Sequence, residues 1–173
     1  VYIGSVGDSR IYLVRDKKIK QLTKDQSYVQ MLVDAGQITQ EQAEHHPRKN
    51  EITNALGLQN MKPATVLETP FNPEAGDCFL LCSDGLSGMV PDKEIEKIVG
   101  NISEVSQRDR VNALIQKAKL YGGLDNITCQ IVEFAATPGE LNNKKNAFLK
   151  YGIPVLATAL LGVVGFLAWN YIK

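Results

Sequence analysis

Three turns pair an aspartate with glycine at the edge of an apolar segment: Gly7-Asp8-Ser9-Arg10, Ser83-Asp84-Gly85 and Gly122-Gly123-Leu124-Asp125-Asn126. Each alone reads as a turn, because Asp and Gly are both common turn formers. Together they would supply convergent carboxylates if the strand ends meet in space. Such a cluster suits Mg2+ or Mn2+, which take oxygen ligands, and an ion held there activates water for hydrolysis. The two histidines, His45 and His46, are adjacent. Neighbouring residues on a helix do not face one point, which argues against a histidine-based metal centre.

The surrounding elements must bring those turns together. Phe79-Leu80-Leu81-Cys82 is a continuous apolar run, the signature of a strand covered on both faces. It delivers Asp84 at its end, with Gly85 freeing the backbone to bend there. Strands are predicted over 1–6 and 10–14, joined as a hairpin through Gly7-Asp8-Ser9, and over 19–22 after a turn at Lys17-Lys18. Ser27 caps a helix carrying Val29, Leu32 and Val33 that ends by Gly36. Thr39 and Gln42 form a capping box for a helix over 40–45, stopped by Pro47. Residues 50–58 show no clear period. A strand is predicted over 64–68. Pro91, Asp92 and Glu94 open a helix with Ile95, Ile98 and Val99 on one face. A longer amphipathic helix is predicted over 108–121, with Val111, Leu114, Ile115 and Ala118 at core spacing, and a strand over 127–134. Strands and helices in mixed blocks define an α+β or layered α/β class.

The chain has 173 residues, enough for about one domain. Its 19 basic and 19 acidic residues balance, so no basic surplus points to nucleic acid. Cys78, Cys82 and Cys129 are odd in number, lie among apolar residues and form no C-x-x-C pair. They read as buried free thiols of a reducing compartment. Asn101-Ile-Ser and Asn126-Ile-Thr match the glycosylation acceptor pattern by chance, since nothing else indicates secretion.

Residues 135–149 are polar, contain Pro138 and Gly139, and read as a linker. From Tyr151 to Ile172 no residue is charged. A helix there would reach roughly 33 Å, the thickness of a bilayer core. Tyr151, Trp169 and Tyr171 suit the membrane interfaces. Lys144, Lys145 and Lys150 precede the run and only Lys173 follows it, a bias that places the preceding domain on the cytoplasmic side. The expectation is a single-pass anchor over 150–173 in the cell membrane.

Five motifs then occur in order: Gly7-Asp8-Ser9-Arg10; Leu22-Thr23-x-Asp25-x-Ser27; His46-Pro47-x-x-Asn50-x-Ile52-Thr53-x-Ala55-Leu56-Gly57; Gly76-Asp77 running to Leu81-Cys82-Ser83-Asp84-Gly85-Leu86; and Gly123-x-Asp125-Asn126-Ile127-Thr128. Over about residues 1–134 the chain resembles the metal-dependent protein serine/threonine phosphatases of the PP2C class, bacterial branch. The linker and apolar tail lie outside the resemblance. It implies a layered α-β-β-α sandwich and hydrolysis of phosphoserine and phosphothreonine by a metal-activated water. It also implies two Mn2+ or Mg2+ ions and a third, weaker site.

Carried over by motif, Asp84 and Asp125 are implied as direct metal ligands. Asp8 is implied as a ligand of the third ion, shared with Asp84. Asn126 supports the metal loop, Gly85 the Asp84 turn, and residues 27–58 form a flap beside the substrate cleft. Phosphorylated proteins, with a cognate serine/threonine kinase among them, are the implied partners. Two departures stand out. Gln26 occupies a position where the family often has His, which implies tuning rather than loss. The family's upstream half, with its phosphate-binding Arg, acidic pair and bridging Asp, has no counterpart in residues 1–173. The chain is therefore expected to be the C-terminal portion of a phosphatase domain, inactive by itself. The competing expectation is a phosphatase-like module that binds phosphoproteins without turnover.

Overall fold

The computed structural model describes residues 1–102 and 104–135. The chain divides into two units, Val1–Phe134 and Ala135–Lys173. The expected linker, from residue 136 on, and the expected membrane helix over 150–173 lie outside the described residues. Among the described residues no helix is long and apolar enough to cross a membrane.

The elements run β1 (Gly4–Ser5), β2 (Arg10–Arg15), β3 (Lys18–Gln21), α1 (Tyr28–Asp34), α2 (Gln40–Glu44), β4 (Thr65–Val66), β5 (Cys78–Cys82), α3 (Asp84–Ser87), α4 (Asp92–Val99), α5 (Gln107–Leu120) and β6 (Cys129–Glu133). Four strands form one antiparallel sheet in the order β3-β2-β5-β6. Asp16 and Lys17 close the β2–β3 hairpin with φ of 51° and 59°. Such left-handed pairs match the right-handed twist of the strands they join.

β5 is covered on both faces, as its unbroken apolar run requires. Cys78, Leu80 and Cys82 point to a core with Tyr12, Val14, Leu86, Ile95, Val99, Leu114 and Ala118, so α3, α4 and α5 pack on this face. Phe79 and Leu81 point the other way, to Ile3, Leu13, Leu67, Phe71 and Phe134. Phe71 and Phe134 meet the Phe79 ring edge-on, each at 5.5 Å between centroids. Ile3 and Leu67 flank β1 and β4, which pair as a separate two-stranded ladder, Gly4 opposite Val66 and Ser5 opposite Thr65.

That ladder corrects the predicted hairpin. β1 does not pair with β2. The chain leaves the ladder at Gly7, whose φ of 87° turns it sharply, and enters the four-stranded sheet at Arg10. Both segments do contain strands, Gly4–Ser5 and Arg10–Arg15. The partner of β1 is remote in sequence, and local pattern cannot identify it.

Caps follow the local chemistry. Ser27 Oγ accepts from Gln30 N, and Thr39 with Gln42 forms the predicted reciprocal box. Ser106 Oγ accepts from Asp109 N and starts α5 one residue earlier than its apolar period indicates. Inside that helix Arg110 is 2% exposed. Its Nη1 donates to the Val99 carbonyl at 2.7 Å and its Nη2 pairs with Glu133, while Nε has no partner among the described residues. A buried guanidinium without its carboxylate is costly. Glu133→Ala should therefore lower stability by about 3 kcal/mol, and Arg110→Met, which removes the charge itself, by less. Denaturant unfolding of the two variants checks this ordering; equal losses would contradict it.

Candidate active site

β5 ends at Cys82, and Asp84 is the first residue of α3 rather than a residue of an open turn. Its side chain is exposed, and Oδ1 accepts from Gly85 N at 2.9 Å. Gly85 is buried against a second turn. A Cβ there would overlap the Asn126 carbonyl oxygen and lie 2.9 Å from the carbonyl carbon of Asn126 and 3.4 Å from that of Asp125. The φ of Gly85 is not positive. Close backbone approach, not the sharp bend expected from sequence, is what requires glycine here.

Ser83 ties the two turns together. Its Oγ donates to the Asn126 carbonyl at 2.9 Å and accepts from Thr128 N at 3.1 Å. Its backbone N–H donates to the Thr128 carbonyl at 3.0 Å. In the second turn Asp125 is exposed, and its Oδ1 accepts from Asn126 N at 2.6 Å. Asp84 and Asp125 thus stand on two backbone segments in direct contact.

Asp8 arrives from the third segment. β2 pairs with β5 from Arg10 opposite Cys82, so the turn before Arg10 emerges beside Ser83 and Asp84. The Asp8 carboxyl is half-buried, and its pKa lies above the ordinary carboxylate range. Burial is the main cause, and the negative charge of Asp84 is the next. Arg10 does little to offset that field, because its guanidinium is committed elsewhere. Nε and Nη2 donate to Asp25 at 2.7–3.1 Å, and Nη1 donates to the Tyr12 hydroxyl at 2.9 Å. Tyr12 in turn donates to Asp92 at 3.0 Å.

The structure therefore sets the Asp8 turn beside Asp84 and packs the Asp84 turn against that of Asp125, with Asn126 and Gly85 as the contact between the latter two. Among the described residues no ion pair includes Asp8, Asp84 or Asp125. Oxygen donors of like charge without a basic partner fit the chemistry of a divalent cation. They do not complete a cage: among the described residues no group of three or more His, Cys, Asp or Glu could hold an ion.

Ser83, Asp25 and Asn54 had no role assigned from sequence, and Gln26 was expected only to tune the site. Ser83, Asp25 and Gln26 lie inside quoted motifs, but their bonds run to remote segments. Asn54 is 0% exposed and sits where the sequence shows no period. A polar residue buried this fully must be hydrogen-bonded, and its amide bridges Gln26 and Lys62.

With this geometry in hand, comparison places the chain among homologues of the bacterial PP2C-type serine/threonine phosphatases, whose mixed α/β fold it shares. It is 44% identical over 133 residues to the serine/threonine phosphatase stp of Listeria welshimeri, covering 77% of this chain and 51% of that protein. It is 44% identical over 130 residues to the protein phosphatase PhpP of Streptococcus pneumoniae, covering 73% of this chain and 50% of that protein. Among solved structures, the serine/threonine phosphatase of S. agalactiae matches with a TM-score of 0.70 at 37% identity, over 78% of this chain and 54% of that one. The catalytic domain of the phosphatase PstP, solved in complex with two manganese ions, matches with a TM-score of 0.60 at 38% identity, over 78% of this chain and 54% of that one. No family model matches the chain. The chain spans about half the length of the relatives it matches first.

Proposed function

We propose that the complete protein is a metal-dependent protein serine/threonine phosphatase, and that residues 1–134 form the C-terminal part of its α-β-β-α sandwich. The observation that carries this reading is the contact of the Asp84 and Asp125 turns, with the Asp8 turn beside Asp84 and no basic partner for the three among the described residues. The similarity to named phosphatases supports it. Asp84 and Asp125 would hold Mn2+ or Mg2+ directly, and Asp8 would share a third, weaker ion with Asp84. The solved PstP domain in complex with two manganese ions supports manganese binding by this fold. Ions held there would supply Lewis-acid activation of a water and offset of negative charge.

The chain's own residues do the positioning. Ser83 and Gly85 press the Asp84 turn against Asn126, and Asn126 orients Asp125 by donating its backbone N–H to Oδ1. The remaining ligands come from the part of the domain not represented in residues 1–173. The piece alone should accordingly hydrolyse no phosphothreonine peptide; activity of the isolated piece would show that the domain boundary is misplaced.

Asp8 separates this reading from a generic acidic surface. In the complete protein, Asp8→Ala should leave tight manganese binding intact and slow turnover by roughly 10- to 100-fold, the range for groups that support a metal centre. Calorimetry showing that tight binding is lost would contradict its assignment to the weaker ion.

Phosphorylated proteins, a cognate serine/threonine kinase among them, are the proposed substrates. The uncharged run 151–172 supports a single-pass membrane tether with the catalytic part cytoplasmic. Tethering would raise the local concentration of membrane-associated substrates. Recovery of the complete protein in the soluble fraction after lysis would overturn the tether and leave the catalytic reading standing.

A further inference from the structure

The excursion that carries α1 and α2 leaves the body of the domain after Gln26 and returns at Thr53. Its neck is closed by the bridge between Ser27 and Ile52 and by the N–H of Tyr28 donating to the Glu51 carbonyl at 2.8 Å. Gln26 stands at that neck, and every one of its polar atoms is used. Its backbone N–H donates to the Gly7 carbonyl at 2.9 Å, and its carbonyl accepts from Thr53 N at 2.7 Å. Its side-chain Oε1 accepts from Gly7 N at 2.8 Å and from Asn54 Nδ2 at 3.0 Å. Its Nε2 donates to Thr65 Oγ1 at 3.1 Å.

Both backbone groups of Gly7 are thus held by one residue, immediately before Asp8. The same amide grips Asn54, which is fully buried and in turn holds both the N–H and the carbonyl of Lys62, at 3.0 and 3.1 Å. It also grips Thr65 of β4, which pairs with β1 just before the turn. A carboxamide suits this node because its oxygen accepts two hydrogen bonds while its nitrogen donates. Gln26 also lines an open groove of about 240 Å³ together with Met31, Lys62 and Thr65.

We propose that Gln26 is a positioning residue that fixes the Gly7–Asp8 turn to the neck of the 27–52 excursion. The proposal rests on the phosphatase reading only for its kinetic consequence; the mechanical coupling stands on the hydrogen bonds alone. Any displacement of the neck is transmitted to the Gly7–Asp8 turn through the Gln26 backbone N–H and side chain, both bonded to Gly7.

The test compares Gln26→Leu and Gln26→Glu in the complete protein by amide hydrogen exchange, thermal melting, and kinetics on an aryl phosphate and a phosphothreonine peptide. Leucine keeps the bulk and removes the side-chain bonds. Exchange should accelerate roughly fivefold in peptides covering 4–9 and 50–56, the effect of one lost hydrogen bond, with β2, β5 and β6 unchanged. The kcat should fall about tenfold on both substrates, as for a lost outer support, with KM for the aryl phosphate little changed. Glutamate retains the acceptor oxygen and should keep most of the protection at Gly7. Unchanged exchange near Gly7 in Gln26→Leu would overturn the proposal. So would acceleration spread evenly over the domain, which would mean a structural role only. If the parent protein hydrolyses neither substrate but Gln26→Leu still shows the local acceleration, the phosphatase reading fails and the coupling survives.

Discussion

In the complete protein, Asp84→Asn and Asp125→Asn should each reduce hydrolysis of a phosphothreonine peptide by more than about 100-fold, beyond the usual cost of losing an outer support. The substitution isolates charge. Each carboxylate already accepts a backbone N–H through Oδ1, from Gly85 for Asp84 and from Asn126 for Asp125. An Asn oxygen can accept the same bond, so the turn geometry is retained. Both side chains are exposed, so thermal stability should change little. What disappears is the negative charge that would hold a divalent ion. Near-parental turnover by either variant at saturating manganese would remove that residue from the metal centre.

Gly85→Ala should also lower turnover, by a different route. If conformation alone mattered, alanine would stabilise α3, since it favours helix over glycine by roughly 0.5–1 kcal/mol. The new methyl group instead meets backbone on the opposite side, the Asn126 carbonyl, with its carbon at 2.9 Å. Neither segment can yield cheaply, because Ser83 binds both Asn126 and Thr128. Alanine should therefore destabilise by about 1–3 kcal/mol, the range for overpacking. It should also lower turnover at least tenfold, because Asp84 and Asp125 are pushed apart, and misplacement by about 1 Å can cost a factor of 100. The sign of the stability change decides: a more stable, fully active variant would show that the two turns are not packed as described.

Much of this architecture is legible in the sequence because it is local. Ser27, Thr39 and Gln42 announce their helices through hydrogen bonds spanning three residues. Ile95, Val99, Leu114 and Ala118 fall at helical spacing and are fully buried. The apolar run before Asp84 is a two-faced strand. What escapes is settled across the chain. The partner of β1 lies at Thr65–Val66, and no turn chemistry near Val6 reveals it. Strand β6 begins at Cys129 rather than at the apolar Ile127, because Thr128 is drawn into the bonds of Ser83. Residues 50–58 show no period because bonds to other segments hold them, Glu51 to Tyr28, Thr53 to Gln26 and Asn54 to Gln26 and Lys62. The three aspartates are recognisable by type and by their glycines. That glycine serves Asp84 by admitting the Asn126 backbone is a matter of contact between segments far apart in sequence.

The central claim, that the assembled domain is a metal-dependent phosphatase, is met most directly by following phosphate release from a phosphothreonine peptide by the complete protein. The predicted result is release in proportion to protein with manganese present, abolished by a chelator and restored by added manganese. Release that persists unchanged in excess chelator, or binding of the phosphopeptide with no phosphate released at any manganese concentration, would contradict it.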